Sequence, residues 1–162
     1  PPVHVEKWQG VYVRIERLHP HKHPEDFYKH EPDKDTFTQE AVELAIAPSN
    51  ADGKIYRIAA NPVESSRYDA IYTPGKNGLI EDKKWNGTWQ YRFAVTGKKG
   101  PYSLPDRTWT AWFKIPFTDF SSAPKPGETW GFNAGRGRNG QNILWLDAPY
   151  GAATKALGKV TF

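Results

Sequence analysis

The chain has 162 residues, enough for one domain with its own core, and 22 Lys and Arg against 18 Asp and Glu leave a formal charge of +4. Cys and Met are both absent, which excludes disulfides, thiolate metal sites, Cys nucleophiles and haem ligation by Cys or Met. No apolar run reaches the length of a membrane span, and the basic residues fall in short clusters (Lys83-Lys84, Lys98-Lys99, Arg136 and Arg138) rather than in the stripe a nucleic acid would need.

The elements read as strands from one end to the other. Val11–Leu18 alternates apolar and polar residues. Val42, Leu44 and Ile46 share one face of the next run, with Glu43, Ala45 and Ala47 on the other. Asp52-Gly53 then reads as a tight hairpin turn into Lys54–Ala60. Trp89, Tyr91, Phe93 and Val95 alternate along a further strand. Trp109, Ala111, Phe113 and Ile115 do the same, with Trp112 and Lys114 opposite. Trp130, Phe132 and Ala134, then residues 142–147 and 159–162, complete the set. The intervening segments hold turn signals such as Pro74-Gly75, Gly100-Pro101 and Pro124-Lys-Pro-Gly127. No helical period is sustained. Seven or eight short strands at these spacings predict an all-β fold, an antiparallel β-sandwich of jelly-roll or immunoglobulin-like two-sheet architecture with long loops.

Leu, Ile, Val and Phe together make only about a fifth of the chain, while Trp, Tyr and Phe number 7, 8 and 8. Rings therefore replace aliphatic mass. Trp89, Trp109 and Trp130, on faces shared with Phe, Ile or Val, are expected in the core. Trp8, Trp85, Trp112 and Trp145 are less committed. An exposed ring beside Arg, Asn or Asp is what a sugar site requires. The C–H face of a pyranose packs on the ring and its hydroxyls bridge to planar polar groups.

Three other patterns carry less. Gly135-Arg-Gly-Arg-Asn-Gly140 has the spacing of a dinucleotide loop, but a strand follows it where a phosphate-cradling helix is needed, so it reads as a hairpin. His19, His21 and His23, with His30 nearby, form the one metal-like cluster, on a Pro-interrupted segment whose plainer reading is a solvated loop. Carboxylates such as Glu43, Asp69 and Asp147 offer no pairing that sequence alone identifies as a hydrolytic acid and base, and no nucleophile-elbow motif is present. The chain is expected not to be an enzyme.

The order of motifs resembles the carbohydrate-binding module family 9-like, or DOMON-like, β-sandwich domains. Trp8-Gln-Gly-Val-Tyr-Val-Arg-Ile15 is similar to the family's early strand. Gln39-Glu-Ala-Val-Glu-Leu-Ala-Ile-Ala-Pro48 is similar to its acidic "DDSVELFIDP" segment, and Ile55–Pro62 and Arg67-Tyr-Asp-Ala70 to the motifs that follow it. Trp85-Asn-Gly-Thr-Trp89, Trp109–Phe117, Lys125–Asn133 with Arg136, and Leu157–Phe162 match later motifs in order. The resemblance implies a non-catalytic module that binds a polysaccharide or oligosaccharide. It implies one appended to or associated with a secreted carbohydrate-active enzyme, in an extracellular or periplasmic setting, with no nucleic-acid partner. Family members hold a terminal sugar between two aromatic rings. Their counterparts here are Phe37 and, as the nearest substitute for the second, Tyr150. The family's acid carries over to Glu43, and its later polar groups to Asn133, Arg136 and Arg138. With Arg57, Trp85, Trp112 and Trp145 these make the candidate sugar-binding set. The resemblance also implies a structural calcium, which Gln39-Glu40 and Ala47 in place of the acids weaken. The basic balance makes an acidic glycan a plausible ligand. The family's additional N-terminal strands have no counterpart before Trp8, so one domain over residues 1–162, short of those strands, is expected. The alternatives are a sandwich kept as a structural or interaction module and a haem- or metal-binding DOMON-like domain using His residues.

Overall fold

The computed structural model describes residues 3–4, 10–16, 40–49, 51–60, 67–96, 108–120, 122–138, 141–144 and 157–162. They form two antiparallel sheets, an all-β sandwich. The smaller has the order β1 (Val3–His4), β2 (Gly10–Glu16), β8 (Thr108–Pro116), β7 (Gln90–Thr96). The larger runs β10 (Gln141–Leu144), β9 (Thr129–Arg138), β3 (Glu40–Ala47), β4 (Ile55–Ala60), β5 (Arg67–Gly75), β6 (Gly78–Asp82). Strand β11 (Gly158–Thr161) joins it as a seventh, on the first half of β9, while β10 pairs with the second half.

The alternation read from the sequence becomes the two faces of each sheet. Val11 and Val13 of β2, with Ala111, Phe113 and Ile115 of β8, point inward. They meet Val42, Leu44 and Ile46 of β3, Ile58 of β4 and Trp130 and Phe132 of β9. Each large side chain fully buried in this layer contributes about 1.5–3 kcal/mol. Trp89 and Trp130 are almost wholly buried, as the alternation predicts. Around Trp130 three rings, Phe117, Phe120 and Phe162, stand edge-on at 5.8, 5.2 and 4.9 Å. Its indole N–H donates to Glu128 at 3.0 Å, which leaves the polar edge satisfied.

Asp52 and Gly53 both take positive φ, 52° and 76°, at the tip of the β3–β4 connection, and Lys54 N–H closes the turn onto the Ala51 carbonyl at 3.0 Å. That is the conformation Asp-Gly tolerates best. Pro74-Gly75, in contrast, is not the turn. Strand β5 carries through it, Gly75 pairs with Gly78, and the chain reverses at Lys76 and Asn77. Pro74 is tolerated because β4 has ended, so its missing N–H costs no ladder bond on that side. The β5–β6 hairpin as a whole is absent from the strands expected above. The glycine-rich Gly135–Gly140 run lies largely in β9, and β10 follows antiparallel to it, with Gln141 opposite Arg138.

Candidate functional site

The outward face of the large sheet is built mainly from small residues. Ala41, Ala45 and Ala47 of β3 and Ala59 of β4 lie there with Ala70 of β5 and Gly131 and Gly135 of β9, and the alanines are buried. Register places Glu43 beside Gly135 and Ala59, and Arg57 between Ala45 and Ala70. Since residues i and i+2 share a face, Glu43 and Arg57 stand on this floor as diagonal cross-strand neighbours.

They form an ion pair. Arg57 donates from Nη2 at 2.7 Å and from Nε at 3.1 Å to the same Glu43 oxygen, Oε2. The Glu43 side chain is fully buried and that of Arg57 is 17% exposed. Glu43 Oε1 is buried with no hydrogen-bond partner. Burial pushes the Glu43 carboxyl above its ordinary 4.5, against the pull of Arg57. Burial opposes the Arg57 charge, but Glu43 and the Tyr72 hydroxyl more than restore it and hold the guanidinium protonated.

The pair continues toward the sheet edge. Arg57 Nη1 donates to Tyr72 Oη at 3.1 Å, the Tyr68 and Tyr72 hydroxyls meet at 2.9 Å, and both donate to Glu81. The guanidinium also lies 5.4 Å from the Tyr68 ring centre and 5.9 Å from that of Tyr72. Burial and the bonds to Glu81 and Tyr72 push the Tyr68 phenol upward. Glu81 is partly desolvated, yet the two tyrosines and Lys83, 3.5 Å away, hold it below 4.5. On the other side of Glu43, Asn133 is fully buried on the same face, opposite Ala45, with Oδ1 accepting from Ala134 N–H at 2.9 Å. At the β3–β4 end of this face Ala47, Ser49, Gly131, Leu157 and Lys159 line a shallow cleft of about 230 Å³.

Of the candidate set, Glu43, Arg57 and Asn133 come together on this floor. Trp85, Trp112 and Arg136 do not join them. Trp85 packs edge-on against Tyr56 at 5.2 Å, on the rim of the inter-sheet core. Trp112 lies on the outward face of the small sheet, across the sandwich, between Arg14 and Arg92. Arg136 pairs with Val42 and shares its face, opposite in sense to Glu43. Arg138 ends β9, with its side chain outside the described residues, as are Phe37, Trp145, Tyr150 and the histidines His19, His21, His23 and His30. Among the described residues no three His, Asp or Glu side chains group to hold a metal ion.

Tyr68, Tyr72 and Glu81 were missed by the sequence reading. Their signal was the two-residue period Tyr68-x-Ala70-x-Tyr72, hidden behind the Pro74-Gly75 turn signal. Asp69, the alternate residue, points to the inner side. Its carboxylate accepts from Trp89 Nε1 at 2.8 Å, from Gly87 N–H at 3.1 Å and from Arg67, whose guanidinium lies 4.4 Å from the Trp89 ring centre. Thr88 donates its N–H and its hydroxyl to Asp119 at 2.8 and 2.6 Å. The Arg67–Ala70 and Trp85–Trp89 motifs therefore lock a loop onto the core.

Comparison with solved structures places this chain beside the crystal structure of a protein from Bacteroides uniformis ATCC 8492, described as a "putative carbohydrate-binding protein". The TM-score is 0.60 at 13% identity, over 94% of this chain and 72% of the other. The likeness is one of fold. No protein-family model matches the sequence, and no curated protein does.

Proposed function

We propose that this is a non-catalytic carbohydrate-binding domain of the family 9-like type, with the Glu43 face of the large sheet as its sugar site. The observation that carries the reading is the buried, unpartnered Oε1 of Glu43, on a floor of Ala and Gly beside Arg57 and Asn133. A buried acceptor without a donor costs about 1–3 kcal/mol. A sugar hydroxyl donating to Oε1 would recover that. The fold shared with the Bacteroides protein agrees with the reading. In this reading the domain works outside the cytoplasm and brings an attached or partner enzyme to a polysaccharide.

One observation favours a second reading, a structural or interaction module. Glu43 is fully buried, and Arg57, Tyr72, Tyr68 and Glu81 already satisfy one another. A ligand reaches Oε1 only if the side chains over it rearrange. Glycan-array screening followed by calorimetry separates the two. The sugar reading expects binding that Glu43→Gln weakens at least tenfold in a folded protein. A broad screen with no ligand at millimolar concentration leaves the structural reading.

A further inference from the structure

Strand β6 is an outer edge of the large sheet, and Ile80 stands at its centre. Ile80 is 63% exposed, the one large hydrophobic side chain among the described residues left so open. Gly75 pairs with Gly78 across the turn at Lys76 and Asn77, and Thr73 pairs with Ile80. The alternation of an antiparallel ladder then directs the N–H and C=O of Gly78, Ile80 and Asp82 to β5. Leu79 and Glu81 turn theirs to the open side, where no described strand pairs with them. An unpaired edge of this kind is a template for another strand.

We propose that β6 pairs antiparallel with β6 of a second copy of this chain, about a two-fold axis through Ile80. Register selects that occupant. With Ile80 opposite Ile80, Leu79 of each copy falls opposite Glu81 of the other, so the outward N–H and C=O groups of both residues meet and bond. The two Ile80 side chains form the close, non-hydrogen-bonded pair at the centre and cover each other. The neighbouring registers are worse. One sets Glu81 against Glu81, and the other sets Leu79 against Leu79 and leaves Ile80 opposite Gly78. In the centred register no like charges meet directly. Asp82 lies opposite Gly78, and the two Glu81 are diagonal neighbours, each with its own Lys83 at 3.5 Å. The pairing is isologous, so it closes at two copies. A strand of 5 residues a side makes a small interface of the weak, transient class. The axis stands normal to the sheet, so both Glu43 faces look the same way and two copies can hold one polymer. That last consequence rests on the carbohydrate reading above; the pairing does not.

The chain has no Cys, so a single introduced thiol can link only two copies. Ile80→Cys places the two thiols at the axis, with Cα atoms about 4.5 Å apart, within disulfide reach. Asp82, also exposed, lies off the axis, so Asp82→Cys sets the thiols about 13 Å apart along the strands, out of reach. Under the same oxidant, the full chain with Ile80→Cys is expected to link about tenfold faster than with Asp82→Cys. Sedimentation equilibrium should show the native chain associating at millimolar concentration and Ile80→Lys remaining a monomer. Circular dichroism confirms that each variant is folded. Equal linking rates overturn the proposal, the result expected if the edge serves a strand of another protein. A native chain that stays monomeric at millimolar concentration overturns it too, as does Ile80→Lys associating like the native chain. Sugar binding enters none of these readouts, so the two readings fail separately.

Discussion

The two outward faces of the sandwich handle an arginine in opposite ways. On the large sheet Arg57 is nearly enclosed, and both its Nε and its Nη2 meet one buried carboxylate oxygen. On the small sheet Arg92 is exposed and lies against an indole ring. The contrast follows from solvation. A charge taken out of water needs a counter-charge and full hydrogen bonding, whereas a surface guanidinium needs only a ring to orient it. The first arrangement contributes to the fold only while both partners are present. The second contributes little to the fold and keeps its donors toward solvent.

Breaking the buried pair should produce the largest effect. Glu43→Ala leaves Arg57 without its counter-charge, and the expected loss is about 3–5 kcal/mol in chemical denaturation. The double variant Glu43→Leu with Arg57→Met removes both charges and should be more stable than Glu43→Ala. If it is no better, the pair is not what holds this face. Asp69→Ala comes next, because it strands the Trp89 indole N–H, the Gly87 N–H and Arg67 together; a loss of about 3 kcal/mol is expected. Gly87→Ala tests the same lock sterically. Its Cβ would fall 2.6 Å from Trp89 Cδ1 and 3.0 Å from Asp119 Oδ2, an overpacking expected to cost about 2 kcal/mol.

Titration sharpens the comparison with a smaller effect. Because Glu43 has a raised pKa in the folded chain, the native state holds that proton more tightly than the unfolded chain does. The stability of the native chain relative to Glu43→Gln should therefore fall as pH rises from about 4.5 through the folded value. Glu81 works the other way. Its contribution is present above 4.5 and is lost as pH falls through its lowered value. Denaturation of both proteins across that range checks the sign. The smallest effect is expected for Trp112→Ala, about 1 kcal/mol, since its ring contacts are to exposed cations.

The sandwich was legible because period-two alternation and turn signals mark the strands, and eight of the eleven strands among the described residues were expected from the sequence. Strand β1 is too short to show a period. Strands β5 and β6 were concealed by Pro74-Gly75, a turn signal that the structure absorbs at the sheet edge once β4 has ended. Site residues were harder. Glu43, Arg57 and Asn133 were named individually, but only the β9–β3–β4 register shows that they share a face. Trp85 and Trp112 were both read as uncommitted rings, and their packing differs for reasons sequence does not contain. One closes a core rim against Tyr56, and the other separates two arginines from neighbouring strands. The Asp69 lock depends on a loop that folds back 18–20 residues later, a distance no local pattern spans.

Calorimetry of the native chain, Glu43→Gln and Trp112→Ala with neutral oligosaccharides, each variant first shown to be folded, tests the central claim most directly. The account predicts that Glu43→Gln binds at least tenfold more weakly and that Trp112→Ala binds as the native chain does. Equal affinity in Glu43→Gln, or a loss in Trp112→Ala alone, would contradict the placement of the sugar site on the large sheet.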